Sequence, residues 1–363
     1  MKILHIAAFP FPTAQGSQVY VRGILRGLAK RGHDVSLLCY GYGEKLPDEG
    51  YTVHRISNVG SYRKLRAGPD LMKPILDLML ANRLRKLSAD VVHVHNYEAP
   101  LVARIGLGRR RIPMVYSAHN TMGEELPTYY QSRVAKKIGG ALGEFLDRTI
   151  PRQADVAIAI RQETCNVLRQ LGCKRVECVP PGIDEDEISD VLPADLPEGP
   201  WVIYTGNPDG YQDLPVLFEA MKLIPDVGLL MVSASELQHV HTLGLPKLKT
   251  VTTNDFEQVR RHLASAQLAV LPRSVCSGFP MKLLNYLGMG LPSVVAQGSN
   301  VGLDGCLEFK NGSAEDLASK IKQLLSNPQL LKEMSQKARL GIVQKSLWSN
   351  RVQELEHIYT SLL

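Results

Sequence analysis

The sequence predicts an α/β protein built from two Rossmann-like domains, and three observations carry that expectation. Short apolar runs alternate with segments of helical period from end to end, the pattern of parallel strands joined by crossover helices. The 363 residues exceed what one hydrophobic core ordinarily supports. A Pro- and acid-rich stretch after Val179, running to Pro200, separates two such series and reads as a hinge.

The first series opens with Ile3–Ala7, an apolar run too short for a signal peptide and suited to a buried strand. A helix over Val19–Arg31 follows, then strands at Asp34–Cys39, Val91–His95, Met114–Ser117 and Val156–Ile160, with helical segments between them. The second series has strands at Trp201–Tyr204, Gly228–Val232, Leu268–Leu271 and Ser293–Ala296. The expected division is therefore 1–184 and 185–346, with the ligand cleft at the carboxyl ends of the strands. No stretch approaches the roughly 20 apolar residues needed to span a bilayer, so any membrane role is expected to be peripheral.

The composition, 44% hydrophobic and 21% charged, is that of a packed globular chain and excludes a disordered or fibrous one. The six cysteines form no CxxC pair and no zinc-spaced cluster with histidine; they read as reduced thiols of a cytoplasmic protein. The net charge of +6 conceals an asymmetry. Residues 1–180 hold 27 Lys+Arg against 15 Asp+Glu, a net of +12, and the remainder 15 against 21, a net of −6. The basic residues cluster at Arg63-Lys64-Leu65-Arg66, Arg109-Arg110-Arg111 and Arg133 with Lys136-Lys137. They read either as solvated faces or as attraction to an anionic membrane surface or acceptor. Nucleic acid is not an expected partner.

After the first strand, Gly16-Ser17 stands at a strand-to-helix turn, where backbone amides can approach a phosphate. More is carried by an ordered set of stretches: this turn; Arg31-Gly32-His33-Asp34-Val35; Ala89-Asp90-Val91-Val92-His93-Val94-His95; Val179-Pro180-Pro181-Gly182-Ile183-Asp184; Tyr204-Thr205-Gly206; Ser277-Gly278-Phe279-Pro280; and Gly290-Leu291-Pro292-Ser293-Val294-Val295. In this order the chain resembles the retaining glycosyltransferases of GT-B type, family 4. Leu347-Trp348 and a helix to Tyr359 resemble the family's closing helix, which returns residues 347–363 to the first domain. The resemblance implies a nucleotide-diphosphate-sugar donor held by the second domain and an acceptor held by the first.

Two departures from the family pattern stand out. The paired glutamates of the donor cleft correspond to Ser277 and Asn285, and the pyrophosphate-binding arginine and lysine to Asn207 and Gln212. An unneutralised pyrophosphate in a desolvated cleft is costly, so the charge is expected elsewhere, at Arg273 and Lys282. Tyr211-Gln212, Pro272-Arg273 and Pro280-Met281-Lys282 resemble a branch of the family with cations so placed. Asn285 is expected to hydrogen-bond the ribose, and Gly206 and the main chain of Gly278, Phe279, Pro280 and Met281 to line the phosphate or sugar. His119, after the strand at Met114–Ser117, matches the family histidine that faces the donor sugar. His93 reads as packing and His95, at its strand end, as either. Glu98, Glu124 and Glu125 follow strand ends and are candidates for the acceptor. Base recognition is expected near Val251–Asn254.

The expected activity is thus retaining transfer from a nucleotide sugar, the departing phosphate taking the acceptor proton, to an acceptor that is lipid-linked or otherwise anionic at the cytoplasmic membrane face. No cofactor or metal is expected, since basic residues neutralise the leaving group. A non-catalytic nucleotide-binding descendant, suggested by the four substituted positions, and a nucleotide-sugar 2-epimerase stand as the alternatives.

Overall fold

The computed structural model describes residues 1–12, 16–43, 47–59, 70–208, 212–237, 244–273 and 278–363. The chain divides into two compact units. The first comprises Met1–Gly182 and Trp348–Leu363, with Gly278 and Phe279 grouped to it, and the second Ile183–Cys276 and Pro280–Leu347.

Seven strands of the first unit, β1 (Lys2–Ala7), β2 (Asp34–Cys39), β3 (Thr52–Arg55), β4 (Val91–His95), β5 (Met114–Ala118), β6 (Val156–Ala159) and β7 (Val176–Cys178), form a sheet in the order β3-β2-β1-β4-β5-β6-β7. All its pairings are parallel. The central strands are buried along their whole length, as helices on both faces require. The order reverses between β1 and β4, which places a switch point at their carboxyl ends.

The two faces of this sheet differ in chemistry. Leu4, Ile6, Val92, Val94 and Tyr116 pack into an apolar core with Leu76, Leu80, Leu84 and Val102. The opposite face carries His5, His93, His95 and Ser117, with His5 paired to His93 and His95 to Ser117 across the strands. This polar face lies under the Gly16–Lys30 helix and the closing Trp348–Thr360 helix. Those helices meet through glycines: a Cβ on Gly23 would stand 2.0 Å from Trp348 Cε2, and one on Gly27 2.4 Å from Val352 Cγ2. Arg31 and His33 each reach a carboxylate oxygen of Glu356 at 2.6 Å, so the Arg-Gly-His run clamps the closing helix.

The second unit repeats the plan. Its strands β8 (Trp201–Thr205), β9 (Gly228–Ser233), β10 (Leu248–Thr252), β11 (Leu268–Leu271), β12 (Ser293–Ala296) and β13 (Cys306–Phe309) lie in the order β10-β9-β8-β11-β12-β13, again all parallel. The reversal falls between β8 and β11. Val202, Tyr204, Leu229, Met231, Val270 and Val294 form one core with Leu217, Leu317 and Ile321. The expected strands of both series are present, and β3, β7, β10 and β13 are added to them. All four are sheet edges, where half-exposed residues blur the apolar signal.

The Pro- and acid-rich segment holds the passage between the units at its start, Gly182–Ile183, and its later part is fastened to the second unit. Arg260 donates to Ser189 at its carbonyl, 2.5 Å, and its hydroxyl, 2.6 Å, Ala194 N–H bonds Arg261 O at 2.9 Å, and Lys249 Nζ reaches Asp195 O at 2.7 Å. Asp184-Glu185-Asp186 has the Asp-x-Asp spacing of a cation-ligand pair, but it opens a short 3-10 helix in which Glu187 accepts the Asp184 N–H at 3.2 Å. The chain passes between the units at Gly182–Ile183 and at Leu347–Trp348.

Candidate functional site

In the second unit the candidate residues gather at the carboxyl end of β8. Gly206 ends that strand with φ of 115°, a conformation that favours glycine, and its N–H bonds Val232 O at 2.8 Å. Lys282, on the first turn of the Met281–Gly288 helix, directs its ammonium to this spot. Nζ lies 3.2 Å from Tyr204 Oη, 3.3 Å from Gln212 Oε1 and 4.4 Å from the centroid of the Tyr204 ring. A Cβ built on Gly206 would stand 2.6 Å from Nζ, so the glycine leaves the space in which the cation sits. Tyr204 Oη in turn donates to Asn207 O at 3.1 Å, and Asn207 Oδ1 accepts from Ser233 and Ser235, both at 3.1 Å.

Tyr286, one helical turn beyond Lys282, is the positioning group that the sequence reading missed. Its fully buried hydroxyl accepts Thr205 N–H at 2.9 Å and shares a bond with Thr205 Oγ1 at 3.0 Å. Residues i and i+4 share a helix face, so Tyr286 fixes that face against β8 while Lys282 reaches over it. The result is a half-buried cation, a helix amino end and a glycine turn at one switch point, an arrangement fitted to a phosphate.

Arg273 follows β11 by two residues, and its carbonyl accepts the Ser299 hydroxyl at 2.6 Å. Pro280 and Phe279 are buried, Gly278 and Met281 half-buried, and Asn285 lies half-buried on the helix. Ser277, Tyr211 and the Arg63–Arg66 cluster lie outside the described residues. The Val251–Asn254 segment proves to be the end of edge strand β10 and the turn after it, where Thr253 N–H bonds Ser233 O at 2.9 Å.

In the first unit, Gly16 and Ser17 begin the helix after β1, and His119 follows β5. The His119 ring stands edge-on to Tyr20 at 5.2 Å and 5.7 Å from the ring of His95. It joins a chain of buried histidines: His5 Nδ1 and His95 Nε2 are 2.9 Å apart, and His93 bonds Tyr359 Oη at 2.6 Å and Ser117 Oγ at 2.7 Å. Burial pushes His119 down to about 4 and His5 to about 3, and holds His93 and His95 well below their ordinary value, so all four are neutral at pH 7. His5, His93 and His95 each bring a ring nitrogen within 4.8 Å of the others, which is metal-ligand proximity. However, both nitrogens of His93 already serve protein partners, and ligation would break the His5–His95 bond. Among the described residues, the second nitrogens, His5 Nε2 and His95 Nδ1, have no partner to orient them. The cluster therefore reads as a polar core layer that carries His119 to its position.

Of the acceptor candidates, Glu98 pairs with Lys73 at 2.8 Å at the start of the Ala99–Leu107 helix, and Glu124 is exposed. Glu125 is the more ordered neighbour, accepting from Tyr129 Oη at 2.5 Å and Asn120 Nδ2 at 3.3 Å.

Two parallel sheets of Rossmann order, with a cation and a glycine turn at the switch point of the second, define the class of GT-B glycosyltransferase folds. The chain matches the model of Glycosyltransferase Family 4 over residues 14–187 and that of Glycosyl transferases group 1 over residues 199–327, and it belongs to this family. A phosphatidyl-myo-inositol mannosyltransferase of Mycolicibacterium smegmatis is 27% identical over 247 residues, 65% of this chain and 60% of that protein. A D-inositol 3-phosphate glycosyltransferase of Xylanimonas cellulosilytica is 22% identical over 243 residues, 60% of this chain and 58% of its own. The matches thus span about 60% of the length of these curated relatives. Among solved structures, the sucrose-phosphate synthase of Thermosynechococcus elongatus superimposes with a TM-score of 0.82 at 17% identity, covering 100% of this chain and 99% of that one. Anabaena HepE in complex with UDP-glucose gives 0.74 at 15% identity, over 99% and 100%.

Proposed function

We propose that the protein is a retaining glycosyltransferase that moves a sugar from a nucleotide-diphosphate donor, bound by the second unit, to an acceptor bound by the first. The single observation that carries this reading is Lys282 Nζ over Gly206 at the end of β8. The cation takes up the charge that the substituted Asn207 and Gln212 positions no longer supply, and Gln212 instead holds the lysine. Arg273 is the second cation for the pyrophosphate. Asn285 bonds the ribose through its amide, and the Gly278–Met281 backbone meets phosphate or sugar oxygens. His119 and the Gly16-Ser17 turn serve from the first unit. The departing phosphate takes the acceptor proton, so leaving-group stabilisation and orientation carry the rate rather than a protein base.

The mannosyltransferase relative, named for a phosphatidylinositol acceptor, supports a lipid-linked or anionic acceptor at the cytoplasmic membrane face, and the UDP-glucose complex of HepE supports a nucleotide-sugar donor. Among the described residues no helix is long and apolar enough to cross a membrane. Incubation with a panel of nucleotide sugars and candidate lipid acceptors, with release of nucleoside diphosphate as the readout, tests the reading. Release that requires acceptor supports it, and binding without release across the panel overturns it in favour of a non-catalytic protein.

A further inference from the structure

The Arg133–Thr149 helix of the first unit is turned the opposite way from an ordinary surface helix. Its buried positions are glycines: a Cβ on Gly143 would stand 2.2 Å from Met122 O, and one on Gly139 2.9 Å from the Tyr130 ring. Asp147 secures this face by accepting the N–H groups of Met122 and Gly123, each at 2.8 Å. The large apolar residues point outward. Val134 is 70% exposed, Ile138 64%, Leu142 49% and Phe145 61%, and their spacing puts them in one stripe. Arg133, Lys137 and Arg148 lie along one flank of the stripe together with a single carboxylate, Glu144, which stands 3.9 Å from Arg148. Leu146 of the same helix also lines an apolar groove of about 460 Å³ with Leu78, Leu101, Val102 and Ile105. An amphipathic helix normally buries its apolar face, so a stripe this exposed marks an interaction surface.

We infer that this stripe and its basic flank seat the first unit on an anionic lipid bilayer, with the groove beside Leu146 accepting an acyl chain. The inference deepens the membrane-face part of the proposed function and rests on it for the lipid setting. Charge selects the occupant. The helix bears four basic residues against two acidic ones, within residues 1–180 of net charge +12. A second copy docking isologously would set two such basic faces together, whereas anionic headgroups neutralise them as the apolar stripe enters the interface.

A Phe145→Trp variant provides the test, because both native tryptophans, Trp201 and Trp348, are buried at 4% and 5% exposure and the new indole reports on the stripe. Its emission should shift to the blue, and be quenched by brominated acyl chains, with phosphatidylcholine vesicles containing phosphatidylglycerol, but not with phosphatidylcholine alone. Flotation with the same vesicles should fall about tenfold for Lys137→Glu and further for Ile138→Ser with Phe145→Ser, at unchanged melting temperature. Equal flotation of wild type and the serine variant overturns the inference. So does a concentration-dependent dimer abolished by the serine pair, which would assign the stripe to a second copy. Acceptor-dependent nucleotide release without vesicle binding sinks this inference alone, whereas vesicle binding without any release sinks the transfer reading and leaves the surface standing.

Discussion

In the proposed reading Lys282 is the phosphate-binding cation of the second unit. Its ammonium already has two oxygen partners, Tyr204 Oη and Gln212 Oε1, so it is held in place before any phosphate arrives and little rotamer entropy remains to be lost on binding. Charge-assisted bonds are worth about 1.5–3 kcal/mol, so Lys282→Ala should weaken nucleoside diphosphate binding about 10- to 100-fold, read by titration calorimetry, with little change in melting temperature. An unchanged affinity would remove the cation from the site. Tyr286→Phe tests the positioning step separately. It strands the buried Thr205 N–H, which should lower the unfolding free energy by about 1–3 kcal/mol in urea denaturation, and it should loosen donor binding by less than the lysine change does. The candidacy of Lys282 came from the sequence, through the resemblance of Pro280-Met281-Lys282. Its support did not, since Thr205 and Tyr286 are 81 residues apart and only the folded chain brings them together.

Among the elements, the Arg133–Thr149 helix shows how far pattern reading reaches. The sequence reading saw only a basic cluster there, because periodicity reveals two faces without saying which one is inside; the glycines at 139 and 143 decide that, through contacts with Tyr130 and Met122. The two kinds of glycine predict opposite outcomes. Gly143→Ala places a methyl against the Met122 carbonyl and should destabilise by about 1–3 kcal/mol. At Gly140 the nearest neighbour of a Cβ is Pro127 Cγ at 3.6 Å, an ordinary contact, so Gly140→Ala should stabilise by about 0.5–1 kcal/mol. Urea midpoints of the two variants check this, and the same sign for both would mean the helix does not pack through Gly143. The strands divide by a similar logic. Central ones such as Val91–His95 are continuous buried runs and were legible; edge strands such as Leu248–Thr252, with Lys249 and Thr250 half-exposed, carry too little apolar signal to be distinguished from loop.

At the scale of the whole molecule, the polar face of the first sheet ties together segments from both ends of the chain: His5 from β1, His93 and His95 from β4, His119 after β5, and Tyr359 from the closing helix. This makes stability sensitive to acid. In the unfolded chain these histidines take up protons near pH 6.5, but in the fold burial keeps His119 neutral to about 4 and His5 to about 3. Above pH 7 both states are neutral and the cluster is indifferent to pH. Below 6.5 the unfolded state binds protons that the native state excludes, so stability falls with pH down to those lower values, by about 1.4 kcal/mol per pH unit for each histidine. Glu356 acts in the same direction, since its bond from Arg31 holds the carboxyl below its usual range and that contribution fades as the group protonates. Asp77, pushed up to about 6 by burial, acts oppositely between about 4 and 6, as the native state binds its proton first; one carboxyl offsets one histidine of the four. The urea midpoint should therefore be flat from pH 8 to 7 and decline steeply from 6.5 to 5. His119→Leu removes one of the titrating groups, and it should reduce that slope by about one proton equivalent. A wild-type midpoint that does not decline below pH 6.5 would mean that the histidines accept protons inside the fold, against the dry layer that Tyr20, Trp348 and Tyr359 form over them.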